Sequence, residues 1–308
     1  MKLISENLHI ISKSTKEAVL NRDEIYIKNL LQKQIETSPD WIDLNIGPAR
    51  GAFAGTMQWL VSLAQDMTSI PLSLDSTNAD EIELGMSLAK NSENWIINST
   101  SADLTRLNRV TDIAAKYGCN IIALTMNSEL GIPKESDKRL ELAFEITAVT
   151  EEKGIENNKI YFDPLILPVC VDQTQASEAL NTIRMLKESF DPQVMTTIGL
   201  SNVSNGCPKE LRPLINRVFM VLAMGCGLDS AIVDSFDSEL LRINRVIEKQ
   251  TAQNSYDKLY LNLYDMMQSF EDTDSIEYDK TDIEQVKIFK TAEILLNKKV
   301  YSNSYLEI

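Results

Sequence analysis

Short apolar runs alternate with longer amphipathic stretches along almost the whole chain. Residues 2–6, 41–45 (WIDLN), 71–75 (PLSLD), 95–98 (WIIN), 120–126 (NIIALTM), 160–163 (IYFD), 195–200 (MTTIGL) and 229–233 (DSAIV) are short and apolar, with polar or turn-forming residues around them. Between them, apolar residues recur at helical spacing over 13–21, 23–36, 55–69, 79–90, 103–117, 137–153, 175–190 and 212–224. Eight strands joined by crossover helices predict a parallel sheet closed into a (β/α)8 TIM barrel. The rival is an open doubly wound sheet. It is disfavoured because no GxGxxG follows a first strand, and the look-alike Gly225-Cys226-Gly227 comes after a helix.

One region breaks the alternation. Residues 240–288 are polar and helical in pattern, acidic from 271 to 284, and lead to a closing helix over 290–296. They read as a solvated helical excursion or, more sharply, as a partner-docking appendage on one domain spanning residues 1–308.

Parallel strands in a barrel open their carboxyl ends onto a single mouth, so the residues at the strand tips are the candidate site. Residues 71–78 show the pattern: Leu72 and Leu74 build the strand, Asp75 ends it, and Ser76-Thr77-Asn78 leads into a helix. In chain order the tips are Glu6, Asn45, Asp75, Asn98, Met126-Asn127, Asp163, Ser201-Asn202 and Asp234. These are mostly carboxylates and carboxamides, without a Ser/His/Asp set. His9 is the only histidine, which argues against a histidine-based metal site. A carboxylate accepts two parallel N–H bonds, and a carboxamide both donates and accepts. Such a mouth suits a heteroaromatic ring with donors and acceptors along its edge, as in a pterin or a guanine.

Composition narrows the partners. A net charge of −15 argues against a general nucleic-acid binder, which needs Lys and Arg to neutralise phosphates. There is no run of eighteen apolar residues, and no apolar stretch follows Met1-Lys2. The expectation is therefore a cytoplasmic protein without a membrane span. Cys119, Cys170, Cys207 and Cys226 lack CxxC spacing and are expected to be reduced.

Eight motifs then occur in order: DLNIGPA (43–49), LSLDSTN (72–78), INST (97–100), LTMN with GIPK (124–134), DPLILP (163–168), GLSNVS (199–204), RPLINR (212–217) and TAEILLN (291–297). Together they resemble the methyltetrahydrofolate:corrinoid/iron–sulfur protein methyltransferases, pterin-binding TIM barrels whose relatives include O-demethylase enzymes. The resemblance implies transfer of the N5 methyl group of 5-methyltetrahydrofolate to or from the Co(I) corrinoid (cobalamin) of a separate corrinoid protein. It implies tetrahydrofolate as the methyl carrier, no metal of the chain's own, and a homodimer. Placed on this sequence, it implies that Asp75, Asn98 and Asp163 hold the pterin and that Asn202 reaches N5 as the catalytic residue. Gly199 and Ser201 would shape the wall, Met126 would lie beside the ring, and Asn205 and Arg212 would touch the folate. Lys134, Arg50 and Arg212 are candidate counter-charges for the anionic folate tail.

Two departures stand out. The family's first strand reads Glu-x-Ile-Asn, where this chain has Glu6-Asn7-Leu8-His9, which leaves His9 a structural residue or a proton donor. The 240–288 stretch is longer than the family requires. Dihydropteroate synthase shares the pterin-reading barrel, but its expulsion of pyrophosphate calls for basic residues where Ser201-Asn202-Val203 stands. A non-catalytic folate-binding subunit would keep Asp75, Asn98 and Asp163 without needing Asn202.

Overall fold

The computed structural model describes residues 1–307. Its strands are β1 (Lys2–His9), β2 (Trp41–Gly47), β3 (Leu72–Ser76), β4 (Ile96–Ser101), β5 (Asn120–Leu124), β6 (Ile160–Asp163), β7 (Met195–Thr196) and β8 (Ser230–Val233). All pairings are parallel, in the order β7-β6-β5-β4-β3-β2-β1-β8. The remaining seam closes through a bridge between Gly199 and Ile232 and a 2.8 Å bond from the Ile232 N–H to the Ile198 carbonyl. The helices between strands are α1 (Lys13–Leu20), α2 (Glu24–Glu36), α3 (Thr56–Met67), α4 (Ala79–Met86), α5 (Leu104–Tyr117), α6 (Ser136–Glu152), α7 (Thr174–Ser189) and α8 (Arg212–Gly225). After β8 come α9 (Ser238–Lys249), α10 (Ser255–Gln268) and α11 (Ile283–Leu295).

Strand periodicity decides what the barrel contains. Side chains alternate between faces, so on β2 Ile42, Leu44 and Ile46 point one way and Trp41, Asp43 and Asn45 the other. Ile42, Leu44 and Ile46 join Leu72, Leu74, Ile97, Ile121 and Phe162 in the core between strands and helices. Trp41 joins Ile4, Ile96, Ile122 and Tyr161 in a separate buried cluster, which plugs the barrel interior. Trp41 meets Tyr161 edge-on, with ring centroids 6.0 Å apart. The apolar plug occupies the lower interior, and polar residues two to four positions further along the same strands fill the space above it.

Three features differ from expectation. β1 runs past Glu6 to His9, with a register shift between Ser5 and Leu8 that turns Leu8 outward into the helix-facing core. β5 stops at Leu124, where the chain turns and the Met126 N–H bonds back to the Leu124 carbonyl at 2.8 Å. β7 is only two residues long, and residues 200–204 wind into a 3-10 turn instead of continuing the strand.

The stretch after residue 240 does not stand off in solvent. α9 is the eighth barrel helix, and its N-cap Asp237 accepts from the Leu240 N–H at 3.0 Å and pairs with Arg217 at 2.6 Å. α10 packs across α8 with Leu259, Tyr260, Leu263, Met266 and Met267 buried. Its fully buried Asp257 receives Arg242 at 2.6 Å. This explains why α8 is apolar all round: Val218 to Gly225 are buried without interruption, with the barrel beneath and α10 and α11 above. Most of the stretch's polarity lies on its outer face, whereas Asn244, Asp257, Thr273 and Gln285 are buried.

Gly225 lets α8 and α10 approach. A Cβ there would stand 2.6 Å from both the Met267 Cβ and the Tyr264 carbonyl oxygen, and the backbone of α10 cannot rotate away as a side chain would. Gly225→Val is therefore expected to lower the unfolding free energy by about 1–3 kcal/mol. Urea denaturation followed by circular dichroism would show this, and an unchanged midpoint would contradict the close packing.

Candidate active site

Four carboxyl groups lie in the upper interior of the barrel, each fixed by its strand. Asp43 sits on β2 two residues above Trp41, and Asp75 lies on β3 paired in register with Asn45 on one side and Asn98 on the other. Asp163 ends β6, opposite Leu124. Glu6 projects from β1 beside its register shift.

Short polar side chains hold these acids. The Asp43 Oδ1 accepts from the Ser73 hydroxyl at 2.5 Å and from the Asn98 Nδ2 at 3.3 Å. Asn45 donates its Nδ2 to Asp75 while its Oδ1 accepts the Gly47 N–H at 3.2 Å. The Ser201 hydroxyl donates to Glu6. The Asp163 Oδ1 accepts the Leu165 N–H at 2.8 Å, and the Gly199 N–H also bonds to its carboxylate. Arg106 on α5 spans the rim beside Asp75, donating to the carbonyls of Ser76 at 3.0 Å, Thr77 at 2.6 Å and Ser99 at 3.0 Å.

Burial raises all four pKa values, because a carboxylate loses hydration that these few donors do not replace. Glu6 is pushed up to about 7, with Asp234 and Asp43 adding to the burial effect and Ser201 and Arg212 opposing it. Asp43 is held at about 6 by burial, against its bonds from Ser73 and Asn98. Asp163 also rises to about 6, opposed by the Leu165 and Gly199 N–H groups and Arg139. Asp75 lies well above the ordinary range, from burial and then the neighbouring Asp43, with Arg106 pulling the other way. Such a cluster has fewer donors than four carboxylates would take up, and a ring presenting N–H groups would add to them.

Of the residues named from the sequence, Asp75, Asn98 and Asp163 share this interior. Ser201 reaches it through Glu6, and Arg212 sits close enough to lower the Glu6 pKa while donating to the Ser204 hydroxyl at 3.3 Å. Asn202 stands exposed on the loop above. Its Nδ2 lies 2.8 Å from the point where a side chain on Gly199 would begin, and it makes no side-chain hydrogen bond among the described residues. Met126 is half-buried past the end of β5, its carbonyl accepting the Ala102 N–H at 2.9 Å. Asn205 is exposed, and no contact brings its carboxamide to the cluster. Arg50 and Lys134 are exposed on the loops after β2 and β5. His9 is a structural end to β1: its Nδ1 accepts the Ser12 N–H at 3.3 Å, and burial holds its pKa below the usual value.

Sequence reasoning left Asp43 inside a motif without a role. Its signal was available, since an acid two residues beyond an interior Trp on an alternating strand must share that interior face. Glu6, Asn45 and Asp234 appeared as strand tips only, and Arg106 had no signal outside a helical pattern. A cavity of about 660 Å³ opens at the opposite end of the barrel among Lys90, Tyr117, Lys153 and Lys159, and contains none of these acids.

Residues 33–234 match the family model for pterin binding enzymes. This chain belongs to that family. The pterin-binding enzyme is 26% identical over 243 residues to the methylcorrinoid:tetrahydrofolate methyltransferase of Eubacterium limosum, covering 78% of this chain and 88% of that protein. It is 28% identical over 249 residues to the methionine synthase of Mycobacterium tuberculosis, in a match that takes in 78% of this chain but only 20% of the longer synthase. Among solved structures, dihydropteroate synthase from Vibrio fischeri ES114 superposes with a TM-score of 0.56 at 12% identity, covering 82% of this chain and 94% of that one. The Yersinia pestis dihydropteroate synthase gives 0.54 at 16%, covering 80% and 93%. At such identities these structures show the shared barrel alone.

The raised pKa values set the sign of a pH effect. An acid that binds its proton more tightly when folded contributes stability that is complete below its unfolded pKa and lost as pH rises through its folded one. The ligand-free enzyme is therefore expected to lose stability between about pH 4 and 7, as folding raises the pKa values of Asp43 and Asp163 from 3.8 to about 6 and that of Glu6 from 4.5 to about 7. Glu6→Gln should remove about 2 kcal/mol of that loss, as a shift of more than one pKa unit at a partly exposed group allows. Denaturant titrations across pH would check this, and parallel profiles for the two proteins would contradict it.

Proposed function

We propose that this pterin-binding enzyme is a methyltransferase that moves the N5 methyl group of 5-methyltetrahydrofolate to or from the Co(I) corrinoid of a separate corrinoid protein, leaving or regenerating tetrahydrofolate. The observation that carries the reading is the pairing of a carboxyl-lined interior with an exposed side-chain amide, Asn202, that makes no hydrogen bond among the described residues and adjoins Ser201, which bonds to Glu6. The name of the Eubacterium limosum relative supports the choice of substrates.

In this reading Asp163 and Asp75 accept the N–H groups along the pterin edge. Those bonds replace lost hydration, so both acids ionise as the ring enters. Asn98 is oriented for the same task. Its Nδ2 is committed to Asp43, which leaves its oxygen to accept from the ring. Asp43 is thus a positioning residue, as is Asn45 toward Asp75.

The corrinoid supplies a strongly nucleophilic cobalt when its protein docks at the mouth. The difficulty is the leaving group, because an amine nitrogen departs poorly as an anion. Asn202 donates a hydrogen bond to N5 that strengthens as charge develops there. Glu6, held near neutrality and bonded by Ser201 from the same loop, is placed to keep or release a proton at the mouth. The dihydropteroate synthase reading lacks a corresponding anchor, since no basic residue stands among Ser201, Asn202 and Val203 for a departing pyrophosphate. We extend the proposal to a single domain over residues 1–308, because α10 and α11 continue the core around α8.

The test is anaerobic mixing of the enzyme and 5-methyltetrahydrofolate with a Co(I) corrinoid protein, with the cobalt spectrum followed over time. Loss of the Co(I) signal at a rate dependent on enzyme concentration is expected, and no change with any corrinoid protein would overturn the proposal. In single turnovers with saturating folate, Asn202→Ala should slow transfer by about 10- to 100-fold, the worth of one bond to developing charge. Asp163→Ala should instead act mainly by weakening folate binding. An unimpaired Asn202→Ala would remove Asn202 from the catalytic role.

A further inference from the structure

Two of the four cysteines meet where the loops of the mouth cross. Cys170 lies between β6 and α7, and Cys207 between β7 and α8, on the loop that carries Ser201 and Asn202. These loops are already bound together, the Val169 N–H donating to the Val203 carbonyl at 2.9 Å. The Cys170 Sγ donates to the Asn205 carbonyl at 3.3 Å. A side chain on Gly206, whose φ of 80° lies in the left-handed region, would begin 3.3 Å from the same sulfur. The next residue is Cys207, buried in the core cluster against which both Cys170 and Tyr301 pack. Tyr301 is fixed in turn, its N–H donating to the Gln173 Oε1 at 2.7 Å. All four cysteines are free thiols. Cys119 is buried in a separate core cluster, and Cys226 is buried at the C-terminal end of α8, a whole helix away from Cys207.

We propose that Cys170 and Cys207 form a reversible dithiol–disulfide pair that ties the loop after Asp163 to the loop bearing Asn202. The oxidant is a small-molecule disulfide. Cys170, the more accessible thiol, attacks one of its sulfurs as the thiolate, forming a mixed disulfide and releasing the first small thiol. Cys207 then attacks the Cys170 sulfur, closing the internal bond and releasing the second. The two protons lost by the protein pass to the two departing thiolates, so two protein thiols are oxidised and one small disulfide is reduced. Burial raises the Cys207 pKa, and ring closure should therefore speed up by about tenfold per pH unit near neutrality. The closed bond would restrain the segment between α7 and α8 from which Ser201 and Asn202 project.

The pair is placed by loop geometry alone, so its test is independent of the methyl-transfer reading. The reduced full-length protein is incubated with oxidised glutathione, the remaining thiols are alkylated, and the peptides are mapped by mass spectrometry. Free thiols should fall from four to two, with a linked peptide pair containing Cys170 and Cys207 that dithiothreitol separates. Cys207→Ser should stop at a glutathione adduct on Cys170, and Cys170→Ser should leave Cys207 unmodified. A persistent adduct on Cys170 in the unsubstituted protein, a bond to Cys119 or Cys226, or no reaction at Cys170 would each overturn the proposal.

Discussion

Closing eight parallel strands into a barrel gives each strand an inner face with no access to the helices, and that face must be filled from within. In this protein the lower half is filled by Ile4, Trp41, Ile96, Ile122 and Tyr161. The upper half receives Glu6, Asp43, Asp75 and Asp163, whose ionisation there costs far more than in water. Most of the rim's polar detail answers this constraint. Ser73, Asn98, Asn45 and Ser201 each give a donor to one acid, and Arg106 brings a positive charge toward Asp75 while stitching the loops after β3 and β4.

The same constraint links structure to chemistry. Acids satisfied by protein donors alone would be low in pKa and indifferent to a ligand. These are left short of N–H partners, so free energy is available to any group that brings donors in the right order along an edge. A pterin does so, which gives a physical basis for the family's binding preference. In the proposed reaction Asn202 is the complementary case: an exposed side-chain amide with no hydrogen bond among the described residues, free to respond to charge that appears only as the methyl group leaves.

How much of this was legible in the sequence follows from range. Strand and helix alternation is local, and it gave the barrel and the tips Asp75, Asn98 and Asp163. The second layer depends on pairings across the barrel. Asp43 contacts Asn98 at a separation of 55 residues, and Ser201 contacts Glu6 at 195, so neither contact leaves a trace in nearby residues. The polar 240–288 stretch misled for a related reason. Its helices are amphipathic, and the apolar partner that buries them, α8, reads on its own as an ordinary barrel helix that happens to be rich in Val, Leu and Met.

The central claim is that the acids inside this barrel are arranged to receive the edge of a pterin ring. The most direct measurement is a crystal structure of the enzyme with 5-methyltetrahydrofolate. The ring should lie above Trp41 and Tyr161, its N–H edges on Asp75 and Asp163, its N5 facing Asn202. A ring bound elsewhere, or one lying in the mouth with Asp75, Asn98 and Asp163 turned away from it, would contradict the account.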